Sequence, residues 1–204
     1  MIFWDMIAGV YDLFEKLYNG RCYDGTGERV AQEIDKNDIV LECACGTGSI
    51  SRPVALKCRE LLATDMSMNM MKRAQKNCRE CNNITFRKAD IMSIESEDNR
   101  FDKVIAGNVI HLLDEPYKAV NELLRVCKPG GKVIIPTYIN AGKSGSELLI
   151  KIFNFAGAHF TNQFDRESYK DFFAKGGYDA EIDIVDGQMP CAIAVITKKQ
   201  ELEL

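Results

Sequence analysis

Val40-Leu41-Glu42-Cys43-Ala44-Cys45-Gly46-Thr47-Gly48 is the stretch on which the reading of this chain turns. A short apolar run ends in an acid, bends through small residues and gives way to a helical pattern that reaches about Lys57. Small residues let the backbone come close to a ligand, and glycine also adopts dihedrals that other residues avoid. Such a turn serves several nucleotide classes, so the details matter. Ser49-Ile50-Ser51 follows Gly48 with no third glycine, which leaves the dinucleotide fingerprint incomplete. No Gly-Lys-Ser/Thr follows either, so it is not a phosphate loop. Glu42 inside the turn is badly placed for a pyrophosphate and well placed for a cation.

Outward from this turn, strand-like and helical runs alternate. Leu61-Leu62-Ala63 is a second apolar run, with a helix predicted from Ser67 to about Cys81. Ile84-Thr85-Phe86 is the third and Phe101-Asp102-Lys103-Val104-Ile105-Ala106 the fourth, followed by a helix from about Glu115 to Cys127. Lys128-Pro129-Gly130-Gly131 reads as a turn into a fifth run, Lys132-Val133-Ile134-Ile135. This repetition implies a parallel sheet covered on both faces. The pattern then changes to helices over 146–160 and over Asp165 to Lys175, which Gly176-Gly177 stops. Ala180 to Val185 and Ala192 to Thr197 are β-like, and their short link makes them antiparallel neighbours.

Asp65 ends the second strand, where a carboxylate can accept hydrogen bonds from a ribose. It would equally serve to cap the helix that begins near Ser67. Asp90, in Lys88-Ala89-Asp90-Ile91 after the third strand, can accept from an adenine amino group while Ile91 packs on the ring; alone, a surface turn acid is the plainer reading. With Glu42, these acids close three successive strands at the carboxyl edge where open α/β sheets bind ligands. The joint arrangement is worth more than its members.

It resembles the class I S-adenosylmethionine-dependent methyltransferase family, and is similar to the small-molecule and quinone-biosynthesis type. The resemblance covers nearly the whole chain. It implies an α/β fold, a Rossmann-like doubly wound sheet of seven mostly parallel strands with an antiparallel last strand inserted between the fifth and sixth, and helices on both faces. It also implies S-adenosylmethionine as the cofactor. Glu42, Ala44, Cys45, Gly46, Thr47 and Gly48 would hold its methionine part, Asp65 its ribose, and Met66, Met70, Ala89, Asp90 and Ile91 would surround adenine. Asn108 and Val109, beyond the fourth strand, would complete the cofactor site. Trp4-Asp5 and Tyr11-Asp12 are similar to the family's capping helix, in which Tyr11 would reach the cofactor carboxylate. Ala44 departs from the pattern, since glycine is usual there. Gly107-Asn108-Val109-Ile110-His111 lacks the Asn/Asp-Pro-Pro-aromatic signature of nucleobase amino methyltransferases.

Composition sets bounds on the partners. Hydrophobic residues at 46% and charged residues at 27% describe a globular chain. A net charge of −4 counts against a phosphate-backbone binder, so nucleic acid is not the expected partner. No run approaches the roughly 20 apolar residues of a membrane span. The N-terminus lacks the basic region and cleavage site of a signal peptide, and it reads instead as an amphipathic helix, so a cytoplasmic location is expected. The eight cysteines are then read as reduced thiols. Cys78-Arg79-Glu80-Cys81 has metal-like spacing but nothing to complete a zinc site, and no metal is expected.

The expected layout is a single domain over 1–204. Residues 1–36 are capping helices, 37–138 the cofactor-binding core, and 139–204 the substrate-side helices and antiparallel strands. A methyl group on a sulfonium is already activated, so the protein's task is to hold a small-molecule acceptor in line with it. A base is needed only for a protonated nucleophile. His111, after the fourth strand, is the candidate base or substrate contact, with a packing role as the alternative; His159 reads as structural. Tyr18 and Tyr138 are candidate substrate contacts, though aromatic residues are commonly core. The apolar stretch within 140–165 would roof the site, or serve as a dimer surface or plain core. A monomer or a homodimer is compatible with the pattern. The competing readings are a methyltransferase acting on protein or RNA, a non-catalytic cofactor-binding module and, more remotely, an NAD-dependent oxidoreductase.

Overall fold

The computed structural model describes Trp4, Asp5, Ala8, the backbone of residues 11–140 with side chains from Leu17 onward, and residues 163–200. The helix expected over 146–160, His159, most of the proposed 140–165 roof and the Tyr11 side chain lie outside the described residues.

In chain order the elements are helix α1 (Tyr11–Ala31), strand β1 (Ile39–Cys43), helix α2 (Ser51–Ala55), β2 (Glu60–Asp65), α3 (Met68–Asn77), β3 (Ile84–Lys88) and β4 (Phe101–Ala106). After a 3-10 turn at Ile110–Leu112 come α4 (Pro116–Val126), β5 (Cys127–Tyr138), α5 (Arg166–Lys175), β6 (Ala180–Val185) and β7 (Cys191–Thr197). Among the described residues, seven strands form one sheet in the order β3-β2-β1-β4-β5-β7-β6. The first five pair in parallel, and β7 runs antiparallel to both β5 and β6. The order reverses between β1 and β4, and at such a switch point the loops leaving adjacent strands diverge and open a crevice.

Both faces of the sheet are covered, which explains the unbroken apolar runs. Leu41, Val104, Val133 and Ile135 pack against Val120 and Leu123 of α4 and Tyr169 and Phe173 of α5. Their neighbours Val40, Ile105 and Ile134 point the other way, toward Val30 of α1, Val54 of α2 and Ala74 of α3. The alternation follows the two-residue period of a strand. Each such aliphatic side chain contributes about 1.5–3 kcal/mol on burial.

Two boundaries differ from those expected from the sequence. The helical run after Gly48 contains an α-helix only over Ser51–Ala55. Lys128-Pro129-Gly130-Gly131 is part of strand β5 and not a turn before it. There the Gly130 amide donates to the Lys198 carbonyl, and the Lys198 amide to that of Gly131. Gly131 is also held so close to the Asp102 carbonyl and the Cys127 thiol that any side chain would collide. Helix α1 runs on to Ala31 through Gly20, Gly25 and Gly27, residues that weaken a helix by intrinsic preference. Tertiary contact overrides that preference: a Cβ on Gly27 would lie 2.7 Å from the Ser49 carbonyl and 2.9 Å from Pro53. Glycine lets α1 lie directly on the start of α2.

Candidate active site

The site begins where β1 stops. Ala44 turns the chain with φ of 55°, and Gly46 and Gly48 follow at 54° and 85°. These left-handed conformations are open to glycine and costly for alanine. The bend is tied down on several sides. The Cys45 amide donates to the Thr64 carbonyl at 2.9 Å and the Gly46 amide to Asp65 Oδ2 at 2.8 Å. Asn77 of α3 donates its side-chain amide to the Thr47 carbonyl at 2.9 Å, and Tyr23 of α1 shares a hydrogen bond with the Thr47 hydroxyl at 3.2 Å. A loop held this way presents a preformed surface.

The two glycines have opposite surroundings. A Cβ on Gly48 would lie 3.0 Å from the Cys78 sulfur and 3.2 Å from Ala74 Cβ, so this residue packs the loop onto α3. A Cβ on Gly46 would meet nothing within 4 Å. Its open side faces a cavity of about 300 Å³.

Thirteen of the residues picked from the sequence line that cavity: Glu42, Ala44, Cys45, Gly46, Thr47, Asp65, Met66, Met70, Ala89, Asp90, Ile91, Asn108 and Val109. Gly48 stands behind the loop. His111, Tyr18 and Tyr138 are not in the lining, and His111 is only 6% exposed. Burial pushes its imidazole pKa down to about 4, so it is neutral at pH 7. The sequence reading did not assign Ser49, Ile50, Gly107, Leu112 or Leu113 to the site, and it placed Trp4 only in a capping helix; all six line the cavity. Leu112 and Leu113 were within reach of inference, since they leave β4 at the same carboxyl edge as Asn108. The 3-10 turn then exposes the leucines to the cavity and buries the histidine that precedes them.

Trp4 is brought there by its neighbour. The Asp5 carboxylate accepts from the Ser67 hydroxyl and the Asn69 amide, and Asn69 returns a hydrogen bond to the Asp5 carbonyl. The N-terminal segment is thereby docked on the first turn of α3. Asn108, at φ of 51°, joins the other wall: its amide donates to the Pro136 carbonyl and its side-chain oxygen accepts from the Tyr138 amide. Asparagine tolerates this conformation better than most residues.

The electrostatics are one-sided. Glu42, Asp65 and Asp90 line the cavity, and no lysine, arginine or histidine does so among the described residues. Glu42 is 1% exposed and accepts at Oε2 from the Ser51 hydroxyl at 2.6 Å. Burial pushes its pKa up to about 8, with the charge of Asp65 adding to the effect. Asp65 is raised as well, chiefly by burial, against the hydrogen bonds from Ser67 and Gly46. It accepts from the Ser67 amide at Oδ1, while Ser67 itself caps α3 by accepting from Met70. Asp65 therefore orders the loop and the helix start but is not the N-cap. Asp90 accepts from the Met92 amide in a tight turn at the rim. A cavity lined by three acidic side chains and no basic one disfavours a pyrophosphate and favours a cation.

A methyltransferase domain family matches residues 41–135, from the strand that carries Glu42 through the middle of β5. That stretch, 95 of the 204 residues, is similar to a methyltransferase domain. A demethylmenaquinone methyltransferase of Renibacterium salmoninarum is 36% identical over 48% of this chain and 40% of its own length. One from Desulfitobacterium hafniense is 30% identical over 64% of this chain and 55% of its own. The matched stretch thus spans about half the length of these curated relatives. Among solved structures, an S-adenosylmethionine-dependent methyltransferase from Thermotoga maritima superposes with a TM-score of 0.74 at 17% identity, covering 97% of this chain and 99% of that one. Magnesium protoporphyrin IX methyltransferase from Synechocystis, solved with S-adenosylhomocysteine bound, gives 0.66 at 18% identity over 86% of this chain and 83% of its own. At such identities these structures speak for the fold. Among the described residues no helix is long and apolar enough to cross a membrane.

Proposed function

We propose that this chain is an enzyme that moves a methyl group from S-adenosylmethionine to a small-molecule acceptor by in-line displacement, working as one domain. The observation that carries the reading is the row of Glu42, Asp65 and Asp90 along a cavity with no cationic lining residue among those described. The cofactor has two cationic groups, a sulfonium and an ammonium, and supplies a methyl group already activated for attack. Glu42 would face its cationic end. The backbone at Gly46 leaves room for close approach. Asp65 keeps lone pairs for ribose hydroxyls beyond the two amides it already accepts from. Asp90 and Ile91 would hold the adenine edge and face, with Met66, Met70 and Ala89 beside them. Asn108 and Val109 would close the wall after β4, and Tyr11 would reach the carboxylate.

On the acceptor side, Trp4, Leu112 and Leu113 offer an apolar approach, suited to a flat or partly apolar molecule. The curated relatives make demethylmenaquinone-like rings the first acceptors to try. His111 enters as a neutral packing group below this wall, with catalysis resting on alignment of the reactants, which can supply several kcal/mol. The same acidic cavity argues against a nicotinamide dinucleotide, whose pyrophosphate it would repel.

The test is a panel of quinones, phenols and other small acceptors incubated with the chain and methyl-labelled cofactor. Label transferred to a small acceptor supports the reading. Label reaching only protein or RNA would redirect it to macromolecular substrates. Tight cofactor binding with no transfer to any acceptor would reduce the chain to a binding module.

A further inference from the structure

Ser51 opens helix α2 and is completely buried. Its hydroxyl donates to Glu42 Oε2 at 2.6 Å, and it is the one hydrogen-bond partner of the Glu42 side chain among the described residues. Oε1 is left over on a carboxyl that lines the cavity while its residue is 1% exposed. An acceptor atom held at a cavity wall without a donor of its own is matched to a donor that arrives with a ligand.

We propose that Ser51 is a positioning residue for the cofactor: it pins Oε2 so that Oε1 faces the cavity, and the carboxyl proton departs when the cationic end of S-adenosylmethionine arrives. This rests on the functional reading above. With Ser51 donating to Oε2, the proton of the neutral acid resides on Oε1, the atom the cation must meet. A cation brought against it drives that proton to bulk water and leaves a carboxylate paired on one oxygen with Ser51 and on the other with the ligand. Burial supports this, having raised the Glu42 pKa to about 8. The groups facing Glu42 do nothing to prevent it. Asp65 from β2, Cys58 after α2, Cys78 from the end of α3 and Cys43 and Cys45 beside it are acids or thiols, and no lysine or arginine forms an ion pair with it among the described residues.

Calorimetric titration of S-adenosylmethionine in two buffers of different ionisation enthalpy reads the released proton directly. At pH 7 the wild-type chain is expected to release close to one proton per cofactor bound, falling toward none above pH 9. Ser51→Ala should bind about tenfold more weakly, as expected when a charge-assisted hydrogen bond is lost. Glu42→Gln, which keeps an acceptor for Ser51, should bind at pH 7 without releasing that proton. Wild-type release with unchanged affinity in Ser51→Ala, or full release in Glu42→Gln, overturns the proposal and leaves the functional reading intact. No binding by the wild-type chain would overturn that reading itself.

Discussion

The backbone amide of Gly46 donates to Asp65 Oδ2 across 2.8 Å, and together with the bond from the Cys45 amide to the Thr64 carbonyl it fastens the bend after β1 to the tip of β2. The other carboxylate oxygen holds the Ser67 amide at the start of α3. Asp65→Ala is therefore expected to do two things. Loss of two charge-assisted hydrogen bonds in a largely buried place should cost about 2–3 kcal/mol of stability. Affinity for S-adenosylmethionine should fall by at least about tenfold, since a ribose partner and the loop's shape go together. Thermal unfolding and calorimetry on the same sample read the two effects, and unchanged affinity would remove Asp65 from the site.

Gly46 and Gly48 lie two residues apart and should respond differently to one methyl group. Gly48→Ala places a Cβ 3.0 Å from the Cys78 sulfur at a φ of 85°, and a stability loss of about 2–4 kcal/mol is expected from strain and overpacking together. Gly46→Ala meets open space, so its cost should stay near the 1–2 kcal/mol of the backbone strain alone. Its methyl group would occupy the cavity, and cofactor affinity should suffer more than stability. Equal unfolding temperatures for the two variants would contradict this division.

Ala44 adopts φ of 55°, a left-handed conformation that glycine takes more readily. Ala44→Gly should relieve about 1–2 kcal/mol of strain and lose somewhat less to added freedom of the unfolded chain. A small rise in unfolding temperature with unchanged cofactor affinity is the expected result. A fall would mean that the alanine methyl makes packing contacts that outweigh its strain.

Glu42 makes ligand-free stability depend on pH. Its folded pKa of about 8 lies above its ordinary 4.5, so the neutral carboxyl is favoured by folding. That contribution is whole below about pH 4.5, declines across the interval and is gone once the pH passes about 8. Unfolding free energy should thus drop with rising pH by on the order of a few kcal/mol through this group. Glu42→Gln should flatten the profile, stabilising the chain at pH 8 while weakening cofactor binding. Urea titrations at pH 5, 6.5 and 8 are sufficient, and parallel profiles for the two proteins would show that Glu42 is not the source.

His111, held near pKa 4, has no titration to offer between pH 6 and 8. His111→Gln should leave kcat/KM within about tenfold of wild type, below the 10²–10⁴-fold range of a lost general base. A drop beyond a hundredfold, together with the loss of a pH limb in the rate profile, would restore His111 to a direct role in the chemistry.

Much of this site was legible in the sequence because its parts are local. Glu42, Asp65 and Asp90 each end a strand, and a strand's apolar run with a polar terminus can be read one segment at a time. Parallel pairing then carries the three ends to one edge. What stayed hidden depends on contacts between distant segments. Ser51 looks like any residue of a short helix until its hydroxyl is found on Glu42. Trp4 reaches the cavity because Asp5 is bound by Ser67 and Asn69, a relation that no periodicity encodes. For His111 the sequence left a direct role and a packing role open, because one step of a 3-10 helix separates a residue in the interior from Leu112 in the cavity wall. The Pro129-Gly130-Gly131 opening of β5 misled for a related reason: close packing demanded residues whose own preferences point elsewhere.

The place of β7 in the sheet has a consequence for how the chain is made. Of the seven strands of this sheet it is the last to be synthesised, yet it lies between β5 and β6 and hydrogen-bonds to both. Until it is synthesised, the flank of β5 has no neighbour, and Ile134 and Ile135 lack part of their cover. A nascent chain at that stage exposes a bare apolar margin, the kind of surface that other chains adhere to. Prompt synthesis through β7, or a chaperone holding β5 until then, would favour the yield of folded protein.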